Sequence, residues 1–265
     1  MKDAPRTGNR MIQVTDSAIS PRPPRQKTVK VKTLRDYPNV PEAYLEVARI
    51  YADERMAGGV PICDELIDLV LHLFTEEEAM VMRHLQPTEH HTAASLALAE
   101  HRPTEEINSI LHSLAIEKHV ILKMGEGEDS IYMAVPMLPG VFEFVLARQS
   151  MDSLTEWHRR FCELFEKLYE TGYIVDHEVK KPPVIKYLPI GEVVQANPAA
   201  YPSDKLEEVF SRYSSFGVTL CQCRLTENVV GRGCGKPMDV CVTLGAVAEM
   251  SIKHGRSQRI SMKDA

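Results

Sequence analysis

The chain has 265 residues, 44% of them hydrophobic and 26% charged, with a net charge of −6. That length allows a sizeable core, and two domains are expected rather than one. No apolar run reaches the eighteen or so residues that a membrane helix needs. The N-terminal MKDAPRTGNRMIQVTDSAIS lacks the apolar stretch of a secretory signal, so a cytoplasmic location is expected. In that reducing setting the six cysteines point to metal ligation, catalysis or core packing before disulfides.

Charge is unevenly spread. Residues 1–36 hold nine Lys or Arg against three Asp, a net of +6, which leaves −12 for the remainder. With PRPPR at 21–25 and no hydrophobic period, this stretch reads as a disordered basic arm. A solvated tail is the first expectation for it, and a contact with nucleic acid or an acidic partner the second.

From Val40 to Leu73 the pattern is helical, as AYLEVARIYADERM (43–56), a Gly58-Gly59 break and ICDELIDLVLHLF (62–74). Cys63 falls in the second apolar stripe and is expected to be a small core residue. Thr75 and Glu78 form a capping box ahead of Ala79, Met82 and Leu85. TAASLALAEH (92–101) predicts a further helix, and Pro103-Thr104-Glu105-Glu106 opens another with Ile107, Ile110, Leu111 and Leu114 at helical spacing. The period then changes. HVILKM (119–124), GEGED (125–129) and SIYMAV (130–135) predict a β-hairpin.

Three helices followed by a hairpin over residues 62–135 resemble a winged helix-turn-helix domain, on order and length alone. Charge argues against DNA for it. Between Thr75 and Ala134 there are eleven Asp or Glu and four Lys or Arg, whereas DNA affinity rests on neutralised phosphates. Glu105 and Glu106 open the third helix, where a DNA reader presents donors to bases and phosphates. A packing or protein-interaction module is expected. Histidines 84, 90, 91, 101, 112 and 119 match no metal-ligand spacing and are read as ordinary polar positions that titrate near pH 6 to 7.

GVFEFVLARQ (140–149) follows Pro136 and Pro139. SLTEWHRRFCELFEKLYETG (153–172) is a strongly amphipathic helix, with Trp157, Phe161, Leu164, Phe165 and Leu168 on one face and Gly172 as its stop. Cys162, far in sequence from any other cysteine, is expected to be buried and inert. PPVIKYLPIGEVVQ (182–195) reads as short extended segments, and Pro202-Ser203-Asp204 caps a helix KLEEVFSRY (205–213). Three regions result: a basic arm at 1–36, a helical winged-helix-like region at 37–150, and a small α+β cysteine domain at 151–265. The fold class is α+β, mainly helical.

Four cysteines, Cys221, Cys223, Cys234 and Cys241, fall within CQCRLTENVVGRGCGKPMDVC. VTLCQCR (218–224) predicts extended chain, which turns Cys221 and Cys223 to one face with Cα atoms roughly 6.6 Å apart. One zinc holds two thiolates about 3.8 Å apart, so this spacing favours a larger iron–sulfur cluster. Asp239 is a good N-cap for VCVTLGAVAEMSIKH (240–254), which places Cys241 in a first helical turn, where thiolate is favoured. Cys234 lies between Gly233 and Gly235, and Arg224, Arg232 and Lys236 add positive charge.

The pattern C-x-C-R, then G-x-G-C-x-x-P-x-D-x-C-x-x-x-G, carried by Cys221, Cys223, Arg224, Gly231, Gly233, Cys234, Pro237, Asp239, Cys241 and Gly245, resembles a family of ferredoxin-type iron–sulfur proteins of anaerobic bacteria and archaea. The resemblance covers about residues 215–260. It implies a 4Fe-4S cluster held by the four cysteines and electron transfer to a redox protein partner. The run C-x2-C-x2-C-x3-C-P of longer members does not occur, so either a single-site member or a shortened form of a longer one is expected, with one cluster on these four cysteines. Four thiolates leave no open position for substrate, which favours an electron carrier or oxidoreductase subunit over catalysis at the metal. A structural zinc held by the same residues is the alternative. A redox-sensing winged-helix regulator and thiol–disulfide chemistry at Cys221 and Cys223 have less support.

Overall fold

The computed structural model describes residues 12–15, 18–21, 26–147, 149–174 and 206–265. The fold is mainly helical α+β. The described chain divides into two compact units. One comprises residues up to 145 together with 157–174, and the other 146–156 together with 206–265. This division differs from the sequence-based one, because the amphipathic helix expected in the cysteine domain lies in the first unit.

A short hairpin pairs β1 (Ile12–Thr15) with β2 (Ala18–Pro21). Residues 26–36, assigned by sequence to the basic arm, make specific contacts with the first unit. Thr28 and Val29 donate their N–H groups to the Thr171 carbonyl at 2.8 and 3.1 Å, and Lys32 Nζ pairs with Asp64 at 2.6 Å. Gly172 ends the long helix at φ +70°, and a Cβ there would meet the Gln26 carbonyl oxygen at 2.6 Å, so only glycine fits.

Helices α1 (Glu42–Ala52), α2 (Asp64–Leu73) and α3 (Glu76–Met82) form the first layer, with α1 packed on α2 and α3. α3 starts where the capping box predicts. Thr75 Oγ1 accepts from the Glu78 N–H at 3.2 Å, and Glu78 Oε2 accepts from the Thr75 N–H at 2.8 Å. β3 (His91–Thr92) precedes α4 (Ala93–Glu100) and α5 (Thr104–His112). The hairpin of β4 (Ile121–Met124) and β5 (Ile131–Ala134) forms as predicted. β3 adds to the outer edge of β5, in the order β3-β5-β4, and two residues of strand gave the sequence no period from which to predict it.

After α6 (Phe142–Leu146), α7 (Glu156–Glu170) buries Phe161, Leu164, Phe165 and Leu168, each contributing roughly 1.5–3 kcal/mol by removal from water. Phe165 stacks on Phe142 with centroids 4.2 Å apart. Trp157 stacks on His72 at 5.3 Å and donates its indole N–H to the His72 carbonyl at 3.3 Å, locking α7 to α2. Cys162 is fully buried, as expected. Cys63 is buried as well, and desolvation pushes its thiol up to about 12.

In the second unit, α8 (Leu206–Phe210) leads to β6 (Phe216–Thr219), α9 (Gln222–Val229), β7 (Cys241–Leu244), α10 (Gly245–Lys253) and β8 (Gln258–Ile260). β6 is the central strand, with β7 and β8 antiparallel on either side. α10 packs on this sheet. The segments expected at 182–195 and the cap at Pro202-Ser203-Asp204 lie outside the described residues. Among the described residues no helix is long and apolar enough to cross a membrane.

Candidate metal centre

Two local expectations at the cysteines are overturned. The extended chain ends at Thr219, and Cys221 is the N-cap of α9, with Cys223 in its first turn. The reason is tertiary: Gln222, Leu225 and Thr226 recur at helical spacing and are buried. Cys241 is not in a helix but opens β7, where Cys241 to Leu244 pair with Thr219 to Phe216. Four partners across a ladder outweigh the N-cap signal of Asp239, and the helix starts instead at Gly245, which takes φ +61°.

Chain reversal brings the two arms of the motif together. Cys221 donates its N–H to the Met238 carbonyl at 2.6 Å, and the Arg224 guanidinium donates to the Pro237 carbonyl. Asn228 Nδ2 reaches Met238 Sδ at 3.5 Å. At the other end of α9, the Arg232 N–H bonds the Glu227 carbonyl at 2.7 Å and its Nε the Glu227 carboxylate at 3.0 Å. The connecting loop is therefore pinned to α9 at both ends, while residues 231–237 are exposed. Sequence reading missed Asn228 and Met238 as supports of this loop, since neither belongs to a spacing pattern.

Cys221 and Cys223 are brought together. The Cys223 thiol donates to the Cys221 sulfur, and this contact, working against burial and helped by the N–H of Arg224, its guanidinium and the N–H of Cys223, draws the Cys221 thiol down to about 6. Cys241 faces Thr219, two residues before Cys221, and both Cys221 and Cys241 are half-buried. Cys223 and Cys234 are exposed, Cys234 at the outer part of the loop. Among the described residues no three His, Cys, Asp or Glu side chains stand close enough together to hold a metal ion.

By residue type the four cysteines are donors suited to thiophilic metals, although in this arrangement no three of them stand together. They comprise a pair at the start of α9, a third that opens β7 opposite Thr219, and a fourth on an exposed glycine-flanked loop. An open cleft of about 670 Å3 lies alongside, lined among others by Thr219, Leu220, Asp239, Arg256 and Gln258. No family model, curated protein or solved structure matches the chain.

Proposed function

We propose that Cys221, Cys223, Cys234 and Cys241 hold one 4Fe-4S cluster and that the protein passes single electrons to a redox protein partner. The observation carrying this is that Cys221 and Cys223 share the start of α9, in contact with each other, while Cys241 opens the neighbouring strand opposite Thr219. When bound, the cluster supplies a one-electron couple. The chain's part is to ligate it by four sulfurs, to leave no coordination position open, and to place Arg224 beside the anionic site.

Structural zinc is the second possibility, and one observation favours it. Two thiols in hydrogen-bond contact, Cys223 on Cys221, suit the spacing of about 3.8 Å on one tetrahedral ion better than extended chain does. The companion proposal for residues 62–135 is a winged-helix-like module that contacts protein rather than DNA. It is supported by two helices, a short strand, two helices and a hairpin in that order and by the β3-β5-β4 pairing.

Anaerobic expression with iron, sulfide and zinc analysis tests the centre. About four iron and four sulfide per chain, with visible absorption, are expected. A colourless protein with stoichiometric zinc replaces the cluster by the second possibility. Serine at Cys221, Cys223, Cys234 or Cys241 is expected to abolish loading, and Cys162→Ser to leave it intact. Equal effects at all five sink the division of the cysteines.

A further inference from the structure

Among its described residues the second unit buries few hydrophobic side chains, Leu146 and Leu154 in the segment 146–156 and three more beyond it. Over the described residues 206–265, only Phe216, Leu225 and Ala248 are buried hydrophobic residues. Three more buried side chains, Ser215, Gln222 and Thr226, are polar. All four residues of β7 are partly exposed, so the strand seals neither face. α10 buries Ala248 alone, and Val247 on it is 56% exposed. The cysteine-bearing loop at 231–237 is exposed throughout. Helices and strands of the first unit bury long runs of Leu, Ile, Val and Phe.

A stretch of sixty residues must still meet the conformational entropy of ordering its backbone. Domains of this size without a sufficient core are held by disulfides, a metal or a partner. None of the four cysteines here is in a disulfide. They are distributed over the start of α9, the exposed loop and the outer strand β7, so a shared ligand would join these three parts.

We infer that residues 206–265 fold only when Cys221, Cys223, Cys234 and Cys241 are occupied, so that loading orders this unit and metal loss releases it. This rests on the ligand set proposed above. Occupancy then acts as an order–disorder switch on whatever surface the unit presents, while the first unit stays folded on its own core.

Hydrogen exchange on the full chain tests the coupling, with metal content measured on the same samples. The protein is compared as loaded with ferrous iron and sulfide or with zinc alone, and after stripping by a chelator under oxidising conditions. Amides at 216–229 and 241–253 are expected to lose on the order of tenfold protection or more on stripping and to regain it on reloading, while those at 42–134 do not change. Cys234→Ser is expected to show the stripped pattern whether or not metal is added. Equal protection in loaded and stripped chains, with stoichiometric metal in the former, overturns the coupling and leaves the ligand set standing. Failure of both iron with sulfide and zinc to load the unaltered chain overturns the two together.

Discussion

Gly233 lies against the side-chain amide of Asn228 so closely that a Cβ at this position would overlap the Asn228 oxygen. The same Asn228 holds Met238 through its Nδ2, at 3.5 Å from the sulfur. The glycine is therefore needed for a close approach rather than for an unusual φ.

Gly233→Ala is expected to push Asn228 off Met238 and to weaken metal loading about tenfold, the lower end of the range for outer supports of a metal site. The double change Gly233→Ala with Asn228→Ala restores space and is expected to load better than Gly233→Ala alone. Competition with a chelator of known affinity measures both. A double variant no better than the single one refutes the steric account.

Lys118 Nζ stands 2.5 Å from Glu78 Oε2, while Ser113 donates to Glu78 Oε1 at 2.8 Å. Burial works to raise the Glu78 carboxyl, but the Lys118 ammonium, the Thr75 N–H and the Ser113 hydroxyl outweigh it and hold the group below its ordinary 4.5. A carboxyl depressed on folding contributes stability above the unfolded value, and that contribution is lost as pH falls through the lower folded value. Lys118→Met leaves a nearly buried carboxylate without its cation and is expected to cost about 2–3 kcal/mol at pH 7, less than a fully buried pair because Lys118 keeps some water. Its loss of stability in acid should also be shallower than that of the unaltered chain. Urea unfolding followed by the near-ultraviolet signal of Trp157 at pH 7 and pH 4 reads both quantities, and an unchanged pH 7 midpoint contradicts the assignment.

The Tyr51 hydroxyl is fully buried and has no hydrogen-bond partner among the described residues. An unsatisfied buried hydroxyl costs stability, so Tyr51→Phe is expected to stabilise the first unit by about 1 kcal/mol. The contact of this ring with Phe74, centroids 6.5 Å apart, is kept in the variant. A lower unfolding midpoint for Tyr51→Phe shows that the hydroxyl is satisfied in solution.

The four basic residues between Thr75 and Ala134 are all engaged within the fold. Arg83 pairs with Glu100 and Glu46, Arg102 with Glu77 and Glu106, and Lys118 with Glu78, while Lys123 lies 5.9 Å from the Tyr132 ring centroid. Few cations are left for phosphates, and the surrounding surface is acidic. Residues 37–265 are expected to give no anisotropy change with a labelled duplex at 50 mM salt. A salt-dependent rise that survives deletion of residues 1–36 contradicts this and revives the regulator reading.

The features legible in the sequence are those decided within a few residues. The Thr75–Glu78 capping box, the stripe of α7, the hairpin at 121–134 and the burial of Cys63 and Cys162 follow from local chemistry and period, and the structure bears each of them out. The four cysteines stood out by spacing alone. Their local conformations did not follow from it, because residues 218–245 combine short apolar runs that suit either a strand or a helix. Partners distant in the chain settle that choice: Phe216–Thr219 draws Cys241–Leu244 into a strand, and burial of Gln222, Leu225 and Thr226 turns CQCR into a helix start. Residue type and spacing thus single out the four cysteines, whereas long-range pairing decided how they are presented, since hydrogen bonds and buried area gained across the chain exceed the small local preferences of these segments.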